Sequence, residues 1–458
     1  MTARRYAAAP GLIALCAAFV LGAATLAGSQ AAGAQTANAQ AGASPVSLTV
    51  EEAVARALAN QPSIQQAQSS LEAARARVGE AQSTYWPALS ATGSWTHIEP
   101  DQSISIVLPG LGSFSLVVPV DNYDVHLGVS QVITQFGRRV DQVKVAESGV
   151  SSARIGVEQA KTAVAYGTAQ LFYGVLFLQQ QAAALDSQYA NLEEHLRVIE
   201  VREQTGSASR LEVLSTQVRM AALKGQQTDT RTQLARQLFA LSQMIGVPSG
   251  TKIELDGALQ PGDAAADPDA LVAQALERRT EVRQAAEAQR AAELTARLTL
   301  DSAFPTLSAR GAVGWRNGLE PTPTDMTFNW SAGVNLNVPL FQGFLAARSL
   351  EEMKSRVDAA RAAAQAARLS VTTQVVQAWQ DRQGARDQVA ITANALDQAR
   401  QMVDVAKVQY DIGVITNLEY LDAQTALETA SLTNLGARYR EVLSEYALRQ
   451  ATGEALGQ

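Results

Sequence analysis

The chain is written nearly twice. Residues 58–95 (LANQPSI…TYWPALSATGSW) match residues 276–313 (LERRTEV…SAFPTLSARGAV) at a constant offset of about 218 positions, and farther along the offset falls to about 207. There Gly206, Leu211, Glu212, Leu214 and Gln217 align with Gly413, Leu418, Glu419, Leu421 and Gln424. The two offsets differ by roughly 11 residues, so the first copy carries an insertion between Trp95 and Gly137, where a loop tolerates one. Such a chain is one architecture made of two halves, not a string of unrelated domains.

Composition narrows the function. With 458 residues and a formal net charge of -7, nothing is basic enough to attract nucleic acid. Arg4 and Arg5 precede an apolar stretch from Leu12 to Leu26, and small-residue sites follow at 29–34. This is the pattern of a secretory signal over 1–34, leaving a flexible N-terminal segment, 35–47, outside the cytoplasm. Cys16, the only cysteine, follows Leu15 rather than a small residue and lies close to Arg5, which argues against a lipid anchor and leaves the mature chain without cysteine. Beyond the signal, no uncharged apolar run is long enough for a membrane-spanning helix.

Each half (48–246 and 270–453, joined by a Gly-, Pro- and Ala-rich linker at 247–269, with a tail at 454–458) reads as helix, strand, strand, long helix, returning helix. Thr49 with Glu52 forms a capping box for a short helix, and Pro62 opens the next at its first turn. Pro87 and, in the second copy, Pro305 break helix from strand, because the residue before a proline is pushed out of the helical region. After each proline the apolar period changes from 3.6 to 2, predicting strand hairpins over 89–131 and 307–338. Their strands, apolar on one face and aromatic near the ends, have the texture of membrane β-strands; a half-buried soluble sheet is the plainer alternative. Four strands cannot close a membrane barrel, which needs about eight, so lipid-facing strands would require several chains to share one.

Long helices are predicted over 137–204 and 343–409, each about 100 Å at 1.5 Å per residue, with returning helices over 210–245 and 416–452. Leu185, Tyr189, Leu192, Leu196 and Ile199, like Val389, Thr392, Leu396, Ala399, Val403, Ala406 and Tyr410, step by four and three as in a coiled-coil seam.

This order of elements, with its QFG or FQG motif before the long helix and the stretch Tyr410–Gln424 (YDIGVITNLEYLDAQ), resembles the TolC-type outer-membrane efflux channels over nearly all of the mature chain. The resemblance implies a mostly α fold with membrane β: a homotrimer whose protomers each give four strands to a shared 12-stranded barrel in outer-membrane lipid, continuous with a long periplasmic α-helical barrel. It implies a passive exit duct, without cofactor or metal, docking a periplasmic adaptor and an inner-membrane transporter. Gly206, Ser207, Gly413 and Val414 would form the adaptor-docking turns. Glu419 and Asp422 are three apart and can share one helix face, which gives an acidic entrance if it lines the lumen; a solvated outer face is the plainer alternative. Tyr410, Asp422 and the other copy's acid Glu212 occupy positions where related channels lock the tip between protomers, but Ile415 stands where an arginine is expected.

The inserted loop, 99–122, alternates apolar residues around Pro109, Gly110 and Gly112 and predicts an outward hairpin that caps or decorates the outer mouth. Catalysis has no support: His97, His126 and His195 make no metal or triad spacing, and Gly311 and Gly314 lie in a strand with no helix behind them. The alternative from another class is a soluble periplasmic coiled-coil adaptor, which normally shows one helical hairpin rather than two helix pairs separated by strand hairpins.

Overall fold

The computed structural model describes residues 46–99, 103–108, 112–117, 119–248, 251, 253–259, 267–301, 303–318 and 324–456. The signal at 1–34, with Cys16, lies outside the described residues, as do parts of the linker and of loop 99–122. The first copy runs β1 (Val46–Leu48), α1 (Val50–Asn60), α2 (Pro62–Ser83), β2 (Ala88–His97), β3 (Ser103–Leu108), β4 (Gly112–Val117), β5 (Asp121–Thr134), α3 (Arg138–Gln204) and α4 (Arg210–Ile245). After β6 (Ile253–Leu255), the second runs α5 (Pro268–Arg278), α6 (Thr280–Asp301), β7 (Thr306–Arg316), β8 (Thr327–Asn337), α7 (Leu345–Asp411) and α8 (Asn417–Thr452).

Corresponding helices have equal lengths: 11 residues for α1 and α5, 22 for α2 and α6, 67 for α3 and α7, 36 for α4 and α8. Local signals place their ends. Thr49 makes the capping box with Glu52, Pro62 stands at the first helical position, and Pro87 and Pro305 lie between a helix end and a strand start. One part of the N-terminal reading needs correction. Val46 and Ser47, expected to be flexible, pair together with Leu48 in parallel with β6, because Leu48 and Ile253 are buried in a shared core with Phe172, Leu241 and Ile245. Likewise α5 begins at Pro268, inside the expected linker, with Asp267 capping it.

The strands form one antiparallel sheet in the order β2-β5-β7-β8, leaving β2 and β8 as unpaired edges among the described residues. Register aligns the apolar residues across all four strands: Val125 opposes Trp315, which opposes Phe328, and Leu127 opposes Val313, which opposes Trp330. These side chains are exposed within the single chain, so this face has no partner in the same protomer. Aromatic rows bound the apolar band, with Trp95, Tyr123, Trp315 and Phe328 at one end and Tyr85, Trp86, Phe136, Phe304 and Phe341 at the other. From Trp86 to Trp95 the chain advances about 30 Å, or about 23 Å along a barrel axis at the usual tilt, close to the apolar height of membrane barrels.

At the strand-to-helix turn the QFG motif puts Phe136 (φ 48) and Gly137 (φ 106) in the left-handed region, and FQG does the same at Gly343 (φ 60) and Phe344 (φ 66). A left-handed phenylalanine costs roughly 1–2 kcal/mol. The strain is offset by the turn it makes, which sets an exposed ring in the aromatic row. The inserted loop carries a separate hairpin, with Ser103 opposite Val117 and Leu108 opposite Gly112.

Candidate functional site: the hairpin tips

Each long helix ends in a glycine turn. Gly206 (φ 76) lets the Ser207 amide donate back to the Arg202 carbonyl at 2.7 Å, and Gly413 (φ 73) lets the Val414 amide donate to the Gln409 carbonyl at 2.8 Å. This closing turn needs a left-handed residue, which glycine adopts without a Cβ penalty. The returning helices then start on Ser209 and Thr416, each in a capping box with the acid three residues on. Glu212 accepts from the Ser209 amide and hydroxyl at 3.1 and 3.0 Å; Glu419 accepts from those of Thr416 at 2.7 and 2.9 Å. The two acids therefore recur at one place for a local reason. The Thr416 amide, then its hydroxyl, hold the Glu419 carboxyl below the usual carboxylate range.

Glu419 and Asp422 do share a face. Both line an open groove with Gln401, Met402, Gln409 and Ile415. Tyr410 points away from that groove into a buried node joining the two copies. Its ring stacks on Tyr420 (5.4 Å, 15°) and meets the His195 ring edge-on at 5.3 Å. His195 bonds through Nε2 to Asn417 Oδ1 at 2.8 Å, and the Asn417 amide nitrogen lies 3.4 Å from the Glu212 carbonyl and from the Ser215 and Thr216 hydroxyls. Burial pushes the His195 imidazole pKa down, partly opposed by its bond to Asn417, and pushes the Tyr410 and Tyr420 hydroxyls up.

Beside this node lies a guanidinium that sequence reading missed. Arg202, from the first copy, sits 5.0 Å from the centre of the Tyr410 ring and 3.3 Å from Asp411 Oδ1. Ile415, at the position where an arginine was expected, packs against the Tyr410 cluster instead. His195, Arg202, Asn417 and Tyr420 correspond, 207 positions away, to Met402, Gln409, Arg210 and Val213. Disagreement between the copies was the available signal, since all four residues of this node differ from their repeat counterparts. Elsewhere the copies agree, leaving Val198 and Val405, Val201 and Val408, and Leu211 and Leu418 exposed in both tips, with Val405 lining the same groove as Glu419 and Asp422.

Known proteins share the order of elements and the fold. The model of a family described as "Outer membrane efflux protein" matches residues 53–247 and 271–454, both halves of the repeat. The outer membrane efflux protein BepC of Brucella suis is 24% identical over 284 residues, a match spanning 60% of this chain and 60% of that protein. The pyoverdine export outer membrane protein OpmQ of Pseudomonas aeruginosa is 25% identical, over 73% of this chain and 70% of its own length. In fold, the CmeC outer membrane channel of Campylobacter jejuni superposes with a TM-score of 0.74 at 18% identity, covering 89% of this chain and 86% of that one. With two helix pairs, two strand hairpins and the family match over both halves, the chain belongs to the outer membrane efflux protein family, which places it in the outer membrane.

Proposed function

We propose that three copies of this chain assemble into an exit duct for a tripartite export system, each giving four strands to a closed barrel in lipid and its helices to a tube crossing the periplasm. One observation carries the reading: a four-stranded sheet with one face apolar from rim to rim and both edges unpaired. Open edges cannot sit in hydrocarbon, since each unsatisfied backbone group costs several kcal/mol there, so β2 of one protomer pairs with β8 of the next. Transport is passive, driven by an inner-membrane transporter, and the chain contributes no catalysis.

The tips are the docking end. Gly206, Ser207, Gly413 and Val414 make the turns, and the repeated exposed pair Leu211 and Leu418 beside them suits the helical hairpins of a periplasmic adaptor. Glu419 and Asp422 line the entrance, where three copies of the pair concentrate cations. Tyr410, Glu212 and Arg202 hold the two hairpins of one protomer together. Ion pairing here differs from an arginine lock at 415: the guanidinium comes from the first copy and pairs with Asp411.

Purified protein in detergent should run as a heat-modifiable trimer and conduct ions across a planar bilayer, with E419Q/D422N lowering cation selectivity. A monomer that forms no pore would sink the reading. Conductance with unaltered selectivity in E419Q/D422N would remove only the acidic entrance.

A further inference from the structure

The polar face of the strand sheet has its own charge pattern, opposite in sign to the tip. Between the two rims, its ionisable residues are Asp124, His126, Arg310 and Arg316, and the rest of that face is uncharged. Register sets Asp124 directly across from Arg316, yet the carboxylate bonds to His126 Nδ1 instead. The imidazole bonds to its own strand and to β8, crossing β7 between them. Its Nε2 lies 2.9 Å from Asn329 Oδ1 on β8, and the Asn329 amide nitrogen donates to the Thr327 carbonyl at 3.4 Å, which fixes the orientation. Between them on β7 stands Gly314, where a Cβ would fall 2.0 Å from the Val125 carbonyl oxygen and 2.9 Å from His126 Cδ2. Only glycine leaves the ring room to cross.

The consequence falls on the arginines. Arg316 lines the same polar recess as Asp124, His126 and Asn329, and neither it nor Arg310 has an ion pair among the described residues. Two guanidiniums against one carboxylate leave this face cationic whichever proton count the imidazole carries. The arginines are six residues apart on β7, about 20 Å, so symmetry would make two separate girdles.

We propose that the inner wall of the strand barrel is an oxyanion site, in which Arg316, released by the Asp124–His126 pair, and Arg310 engage carboxylate, phosphate or sulfonate groups of solutes leaving the duct. The route is then acidic at its periplasmic mouth and basic at its outer end. This rests on the channel reading, since only a closed barrel turns the polar face into a lumen. Arginine suits the task because its planar fork matches oxyanions in two-bond geometry.

The test uses the full-length trimer in planar bilayers, with inositol hexakisphosphate added on the extracellular side as the anionic probe. Wild type should be blocked, and R310Q/R316Q should need at least about tenfold more probe and show a raised potassium-to-chloride permeability ratio. R310K/R316K, which keeps the charge, should retain most of the block. Equal block and equal selectivity in wild type and R310Q/R316Q would overturn the oxyanion site while leaving the channel standing. So would lysine and glutamine variants that lose the block alike, because the arginines would then act through packing and not charge. A wild type without conductance would overturn the channel reading, and this inference with it.

Discussion

Helices α3 and α7 are the same length, end in the same glycine turn and are followed by equal returning helices, yet one is buried and the other is not. α3 buries seventeen residues, among them Phe172, Val175, Leu185 and Ile199; α7 buries seven, Arg382 and Thr392 included. The cause is placement. α3 packs against α1, α2, α4, α6 and α8, so it runs between the two copies, whereas α7 packs mainly on α5, α6 and α8 of its own copy. Its remaining face exposes Leu369 and Ile391. Equal periodicity therefore hides unequal closure: the first long helix finds its partners inside the chain, and the second keeps a face for a neighbouring protomer.

The largest expected effect breaks that contrast directly. L369D/I391D should abolish the heat-modifiable trimer and the bilayer conductance while leaving the helical circular dichroism of the chain intact; a trimer that survives would mean that α7 is not a subunit face. Next comes the matched core pair. Phe172→Ala should cost about 3–5 kcal/mol of stability in urea unfolding, because the ring is 1% exposed and leaves a cavity. Trp379 holds the same repeat position but is only half-buried, so Trp379→Ala should cost about half as much or less in the unassembled chain. Equal costs would erase the difference between the helices.

A smaller effect concerns the node where the two copies meet. His195 has its pKa depressed by burial, so the unfolded tip binds a proton more readily than the folded one below the ordinary histidine range. Its stabilising contribution is complete above the unfolded value of about pH 6.5 and is lost as the pH falls from there through the lower folded value. Amides of the Tyr410–Tyr420 segment should show smaller protection factors, the intrinsic divided by the observed exchange rate, at low pH than at neutral pH, and His195→Gln should flatten the dependence. Smallest are the turns themselves: Gly206→Ala and Gly413→Ala should each cost about 1 kcal/mol. Nothing lies within 4 Å of a Cβ at either place, so the penalty is conformational and should be equal in the two copies.

Much of the fold was legible because its signals are local. The offsets of the duplication, the capping box at Thr49, the proline breaks at Pro87 and Pro305 and the period change after them each depend on neighbours in sequence. The pairing of Glu419 with Asp422 on one face was legible for the same reason, as an i, i+3 spacing. What escaped is non-local. The β1–β6 pair joins two three-residue strands about 200 positions apart, too short to show a period. The His195–Asn417 bond spans 222 positions, and Arg202 reaches Asp411 across 209.

By itself the amino-acid sequence determined that this is a doubled chain of strand hairpins and long helices, since helix capping, proline geometry and hydrophobic period act over a few residues. The tertiary structure alone decided which long helix is closed within the protomer, that Asp124 takes His126 and leaves Arg316 without an ion pair among the described residues, and that Arg202 stands beside Tyr410. Those choices depend on which surfaces meet after the chain has folded back on itself, and side chains compete for partners that no local pattern brings together.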